Sequence, residues 1–301
     1  MNSKFSLHKM DNINSAYTHF NYKVFNKCPI CLNEDIKRKG RKGTGDKETH
    51  PQVFNCNNCG VFFVNPIIDS KSLYKMYKNF DISYGSHEEK VLEKIKRNAK
   101  YWDTLFHDEK DRKEKLKFLD IGSASGEFVN AFCENGWDSY GIEPCKALVD
   151  YSKKQSGLIN IQHTTVEEAN YPENYFDFIH FWHVLEHVIE PRRVLYKIHY
   201  WLKPGGILNL GTPSPDSLVT KFYPKITGYF DLGSVHTFIF PRQSLNTLLK
   251  TIGFEIKEHT VYSTLRTGNN YKAKIHNFFH HIYPKAVQNF QRVKAYKSSG
   301  I

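Results

Sequence analysis

The sequence predicts an α/β domain built on a mostly parallel sheet with helices on both faces, preceded by a small cysteine-bearing module. Three observations predict it. From about residue 116 to 262, short apolar runs alternate with helically spaced ones. Four of the six cysteines fall in two close pairs within the first 60 residues. The chain of 301 residues is long enough to bury one large core beside a small appendage. Apolar residues make up 40% and aromatics 15%, which excludes a disordered chain. No run approaches the roughly 18 apolar residues of a membrane span. The opening residues lack the apolar core of a signal peptide, so a cytoplasmic protein is expected.

The net charge of +11 is unevenly spread. Residues 1–60 hold ten Lys/Arg against five Asp/Glu, and residues 250–301 hold nine against two, so the stretch between is close to neutral. Basic ends suit RNA, an anionic membrane or a nucleotide diphosphate. They equally suit a solvated surface with no specific role.

The N-terminal segment, 1–67, is read as a zinc-ribbon-like module. Cys28-Pro29-Ile30-Cys31 and Cys56-Asn57-Asn58-Cys59 lie 24 residues apart. Two such pairs supply the four thiolates of a closed, structural zinc site, with no position open for chemistry. Cys133 and Cys145 are expected to be ordinary core residues. The Lys37-to-Gly43 run, rich in Lys, Arg and Gly, reads as a loop. Segment 68–115 has helical spacing (Leu73, Met76, Tyr77; Ile95, Ala99, Trp102) and is expected to form a helical lid, with Tyr74, Tyr77 and Tyr84 as substrate contacts.

The domain proper spans 116–262. Its first strand, Lys117 to Ile121, runs into a turn at Gly122, Ser123 and Gly126 and then a helix. Glycine there lets the backbone approach a ligand. Ala124 occupies the place where a dinucleotide fold puts the glycine that admits a pyrophosphate. Asp120 on the strand can face an ammonium group. Glu143 follows Gly122 by 21 residues, at the end of the second strand, where an acid accepts hydrogen bonds from ribose hydroxyls.

These motifs resemble those of class I S-adenosylmethionine-dependent methyltransferases, in particular the group that includes ubiquinone-type O-methyltransferases and sugar methyltransferases. The resemblance covers about 116–262, through LDIGSASGEF, GIEP, TVEEANYPENYFDFI, HVLEHVIEP, LKPGGILNLGTP and TIGFEI. It implies a Rossmann-like, seven-stranded, mostly parallel sheet. It also implies that Asp120 and Gly122 flank the methionine moiety of the methyl donor, that Glu143 holds the ribose and that Val166 lies along the adenine. Thr165 stands where the family usually has an acid.

For the chemistry, His183, Glu186 and His187 stand at i, i+3 and i+4, so on a helix they share one face. The ubiquinone-type enzymes carry E-x-x-E-H at this run and bind a divalent metal; His183 replaces the first acid. His236 lies in a long insertion, 212–241, and is a candidate substrate ligand or general base. A purely bracing role for Glu186 and His187 stays open. The last segment, 263–301, reads as a basic tail, whose stretch from Tyr271 to Tyr283 could rest on a membrane as an amphipathic helix.

The preferred function is O- or C-methylation of a small molecule or saccharide, such as a nucleotide sugar or a surface glycan. One alternative is an RNA methyltransferase that grips RNA with the basic module. Against it, no amino-methylating N/D-P-P-Y motif and no cysteine nucleophile in a suitable turn is found. A second alternative is a module that binds the donor without turnover.

Overall fold

The computed structural model describes residues 21–41, 52–77, 89–106, 114–157, 160–216, 236–265 and 287–298. Its large sheet begins with β6 (Lys117–Ile121), β7 (Asp138–Glu143), β8 (Ile161–His163), β9 (Phe176–Trp182) and β10 (Leu202–Pro213), all mutually parallel where they pair. Strands β12 (Phe254–Leu265) and β13 (Val287–Lys297) complete it, in the order β12-β13-β10-β9-β6-β7-β8. β13 runs antiparallel to both its neighbours. Covered on both faces, the central strands are apolar without alternation: Phe118, Leu119 and Ile121 of β6 and Phe176, Phe178, Ile179 and Phe181 of β9 are all essentially buried. The expected seven-stranded, mostly parallel architecture is present.

β13 corrects the reading of 263–301 as a tail. Val293 and Ala295 are fully buried, while Arg292 and Lys294 between them lie over the Trp102 ring. Because half of this strand's side chains are cationic or polar, the segment looks like a solvated end in sequence. Residues 266–286, with the supposed amphipathic helix, lie outside the described residues.

The helical segment also divides differently from expectation. α1 (Ser70–Tyr77) lies at the mouth of the sheet. α2 (Glu89–Thr104) instead covers one sheet face: Ala99 and Trp102 are buried, and Trp102 stacks on Phe178 at 4.8 Å. It joins a cluster with Phe118, Phe132 and Trp137 and serves as core, not as a lid. α3 (Glu127–Glu134) packs beside it, starting at Gly126 in the left-handed conformation. α4 (Lys146–Ser156) crosses from β7 to β8. α5 (Pro191–Trp201), opened by a proline at its first turn, and α6 (Arg242–Ile252) cover the opposite face, with Leu245, Leu248, Leu249 and Ile252 forming the buried stripe of α6.

The cysteine-bearing segment is not a tethered appendage. β2 (Ile36–Arg41), β3 (Gln52–Cys56) and β4 (Phe62–Asn65) form an antiparallel sheet, and its fourth strand is β11 (Phe238–Ile239), which follows His236. Phe63 meets Phe238 at 6.4 Å, and Cys28, Ile30, Val61 and Phe63 join the same apolar core as Leu185, Val188, Phe240 and Leu245. A short pair, β1 (Tyr22–Lys23) with β5 (Ile67–Ile68), closes the segment. Lys37 to Arg41, expected as loop, is strand β2, because its backbone pairs with β3 whatever its side chains do. Residues 42–51 lie outside the described residues.

Candidate active site

The first half of the site is built at the ends of β6 and β7. Gly122 takes φ +78°, and a Cβ there would lie 2.5 Å from Val184 Cγ2, so only glycine passes under that side chain. The amides of Gly122 and Ser123 donate to the Ile142 carbonyl at 2.8 and 3.0 Å, which holds the turn against β7. Gly126 donates to the Ser123 carbonyl and closes the turn. Ser123 Oγ is buried with no hydrogen-bond partner among the described residues.

Glu143 is 7% exposed. Its Oε2 accepts from the Ala124 amide at 3.0 Å and its Oε1 from the Cys145 amide at 2.8 Å, so the carboxylate is fixed across the glycine turn. Burial pushes its pKa up to about 7; the two amides oppose the rise and the nearby Asp120 adds to it. Asp120 does not stand alone: His180 Nδ1 lies 2.9 Å from its Oδ1. The two residues are register partners on β6 and β9, and the His180 ring packs between Phe128 and Trp182.

Beside them opens a cleft whose walls include Leu73, Tyr74, Gly122, Pro144, Val166 and His187. Tyr74 of α1 reaches over it and its hydroxyl lies 3.1 Å from His163 Nε2. Of the other tyrosines proposed as contacts, Tyr84 lies outside the described residues, as does the side chain of Tyr77. Gly122 and Val166 thus share the cleft with Ile142 and Pro144, the neighbours of Glu143, and the region offers a backbone left bare by glycine, an apolar wall and an adjacent fixed carboxylate.

The second half surrounds Glu186, which is wholly buried. Its Oε1 meets His183 Nδ1 at 3.2 Å and its Oε2 accepts from Thr212 Oγ1 at 2.8 Å. The rings of His187 and His236 approach to 5.0 Å, and the donor atoms of Glu186, His187 and His236 all lie within 4.8 Å of one another. Burial alone would raise the Glu186 pKa, but the His183 hydrogen bond and the charges of His187, His183 and His236 outweigh it and bring it to about 2. The group is an ionised carboxylate ringed by imidazoles. Such a carboxylate fixes imidazole orientation.

His183, His187 and His236 thus come together as a set, but not on a helix. His183 has φ +56°, which stops a helix before it begins, and Val184 to His187 form a single turn closed by His187 N donating to Val184 O at 2.9 Å. His236 arrives from the far side of the insertion, whose residues 217–235 lie outside the described ones. His187 belongs to both halves, since it also lines the cleft. Sequence reasoning missed His180, Thr212 and Thr237. His180 carries only the faint signal of a polar residue at the register of Asp120; the two threonines carry none.

The four N-terminal cysteines are free thiols and gather into one cluster. Cys28 and Cys59 sulfurs lie 3.7 Å apart, and those of Cys31 and Cys56 lie 3.5 Å apart. Tetrahedral zinc with bonds of about 2.3 Å places its thiolates about 3.8 Å apart. The amides of Ile30 and Cys31 point at Cys28 Sγ and that of Cys59 at Cys56 Sγ, all at 3.4–3.5 Å, as thiolates require. The residues fit the ion. Cys145 is buried as expected, whereas Cys133 is exposed on α3.

Comparison with known proteins adds three findings. The methyltransferase domain family matches residues 84–259. The chain is 30% identical over 123 residues to the ubiquinone biosynthesis O-methyltransferase of Bradyrhizobium sp., covering 40% of this chain and 45% of that protein. It is 32% identical over 96 residues to the protein of that name from Ruegeria pomeroyi, covering 31% and 39%. The chain spans less than half the length of these curated relatives. Among solved structures, a chain of the Haloferax volcanii complex between the Trm112 methyltransferase activator and a methyltransferase aligns with a TM-score of 0.50 at 11% identity, covering 68% of this chain and 94% of that one. This last likeness is one of fold alone.

Proposed function

The chain belongs to the methyltransferase domain family, and from that premise we propose that it transfers a methyl group from S-adenosylmethionine to a small-molecule or saccharide acceptor, at oxygen or carbon. One observation carries the reading: His187 lines the donor cleft and also contacts the His236 and Glu186 cluster. A donor site and a proton acceptor therefore share one opening.

S-adenosylmethionine, when bound, supplies an electrophilic methyl on a sulfonium. Glu143 would accept the ribose hydroxyls, Gly122, Ser123 and Gly126 would pass their backbone along the methionine, and Val166 would flank the adenine. Asp120, oriented by His180, would present its carboxylate to the ammonium. On the acceptor side, His236 or His187 takes the proton of the attacking group, and the ionised Glu186 stabilises the imidazolium that results. His183, held by Glu186, orients the acceptor. Apolar cover from Leu73 and Tyr74 excludes water.

The names of the curated relatives favour oxygen as the atom methylated. The four thiolates would hold a structural zinc ion, in a module of residues 1–67 that shares its core with the methyltransferase domain. Among the described residues no helix is long and apolar enough to cross a membrane. Incubating the chain with methyl-labelled donor and separated nucleotide-sugar, lipid-glycan and RNA fractions tests the reading. Label in a saccharide fraction is expected; label confined to RNA, or none at all, overturns it.

A further inference from the structure

We propose that the four-cysteine metal centre positions the acceptor-side histidines through strands β4 and β11, with Thr237 as the coupling residue. This rests on the methyltransferase reading for its activity assay and deepens it. The connection is a short run of hydrogen bonds. Cys56 and Cys59 bracket the turn between β3 and β4, where the Cys56 amide donates to Val61 O at 3.0 Å. β4 pairs with β11, Phe63 opposite Phe238, and the Val64 amide donates to Thr237 O at 3.0 Å. Thr237 in turn grips the turn that carries Glu186: its amide donates to Glu186 O at 2.7 Å, and its hydroxyl donates to the same carbonyl at 2.9 Å. Its neighbour His236 is thereby set against His187 and Glu186.

Two further ties fasten the cysteine knuckles to the helices behind the site. Arg192 of α5 donates to Ile30 O at 3.2 Å, and Ser244 Oγ of α6 donates to Cys59 O. The turn at Gly122 is hydrogen-bonded chiefly within itself and to β7, and it meets the histidine side through packing against Val184. Metal occupancy therefore acts first on the histidine side.

The test measures zinc content, donor affinity, turnover and the ring NMR signals of His187 and His236 in the full chain. Native protein should hold one zinc per chain. Cys56→Ser should lose the metal, shift both histidine signals and lower turnover by at least about 100-fold, the scale of losing positioned proton transfer. Donor affinity should change far less than turnover, since the hydrogen bonds that fix Glu143 and the Gly122 turn are not touched. If Cys56→Ser fails to fold, the coupling residue decides alone. Thr237→Val should keep the zinc and the donor affinity, shift the same two signals and lower kcat about tenfold, the worth of one lost hydrogen bond with its acceptor left in place; Thr237→Ser, which restores the hydroxyl, should recover both. Unchanged histidine signals in the zinc-free chain, or in Thr237→Val, overturn the proposal. Should no acceptor ever be methylated, the functional reading fails, while the histidine signals still decide the coupling.

Discussion

The two halves of the cleft are assembled in opposite ways. The half proposed to hold the donor is built mainly from the stretch Asp120 to Cys145, with hydrogen bonds about twenty residues long between Ala124 and Glu143 and between Gly122 and Ile142. His180 reaches Asp120 from farther along the chain. The acceptor half gathers His183, Glu186, Thr212, Thr237 and His236 from three segments, with hydrogen bonds spanning up to 51 residues. A locally built site tolerates change elsewhere in the fold, whereas one held by distant segments inherits the stability of everything between them. The donor half should therefore respond chiefly to changes in itself and its immediate neighbours, and the acceptor half also to changes far away.

Four substitutions or conditions test that division. His236→Ala should have the largest effect, lowering turnover by about 10²- to 10⁴-fold as a lost general base does. Donor affinity, measured by calorimetry, should not move, and a parallel fall in affinity would erase the boundary between the halves. Next, Gly122→Ala places a methyl 2.5 Å from Val184 Cγ2 in a left-handed backbone conformation. Donor binding should weaken by about 10- to 100-fold, and adding Val184→Ala should recover part of the loss by removing the clash but not the strain. No recovery would mean that the contact with Val184 is not what demands glycine.

The third test is pH. A Glu143 with pKa about 7 is largely protonated at pH 6 and ionised at pH 8. Because ribose hydroxyls donate to the ionised form, donor affinity should rise by up to about tenfold over that interval. Glu143→Gln should flatten the profile. Glu143 also binds its proton more tightly folded than unfolded, since burial raises it above the ordinary 4.5. Its contribution to stability is therefore present below pH 4.5 and lost as pH rises to about 7. Glu186 has the opposite sign: depressed to about 2, it stabilises the fold above pH 4.5 and ceases to do so as pH falls through 2. The smallest effect is expected from Tyr74→Phe, which removes the hydrogen bond to His163 across the cleft. Donor affinity should fall about threefold, the scale of one exposed hydrogen bond. A larger fall would make α1 part of the donor half.

This contrast also explains what could be read from the chain beforehand. Gly122, Gly126 and Glu143 made the turn between β6 and β7 legible because a local turn leaves its mark in adjacent residues. The cysteine pairs did the same, for the same reason. His183, His187 and His236 were legible as candidates, since imidazoles in turns and long insertions are rare enough to notice. Their geometry was not, because a left-handed His183 turned an expected helix into a turn. Thr237 and Thr212 were invisible: a threonine shows no pattern that says which carbonyl or carboxylate it will meet. β13 was hidden by its own charges, and its strand character came from two buried residues, Val293 and Ala295, between cations that rest on an aromatic ring.

Strand β2 gives the basic N-terminal surplus another meaning. Among the described residues it is the outer strand of its sheet, with one side of its backbone unpaired, and Lys37, Arg38 and Lys39 along it are exposed. An open strand is a template onto which any other extended segment can add. Here a second copy would have to bring its own row of lysines alongside the first, charge against charge. The cations oppose growth by strand addition, and they do so with or without an anionic partner. Neutralising all three should first appear as loss of solubility on standing, well before any change in methyl transfer.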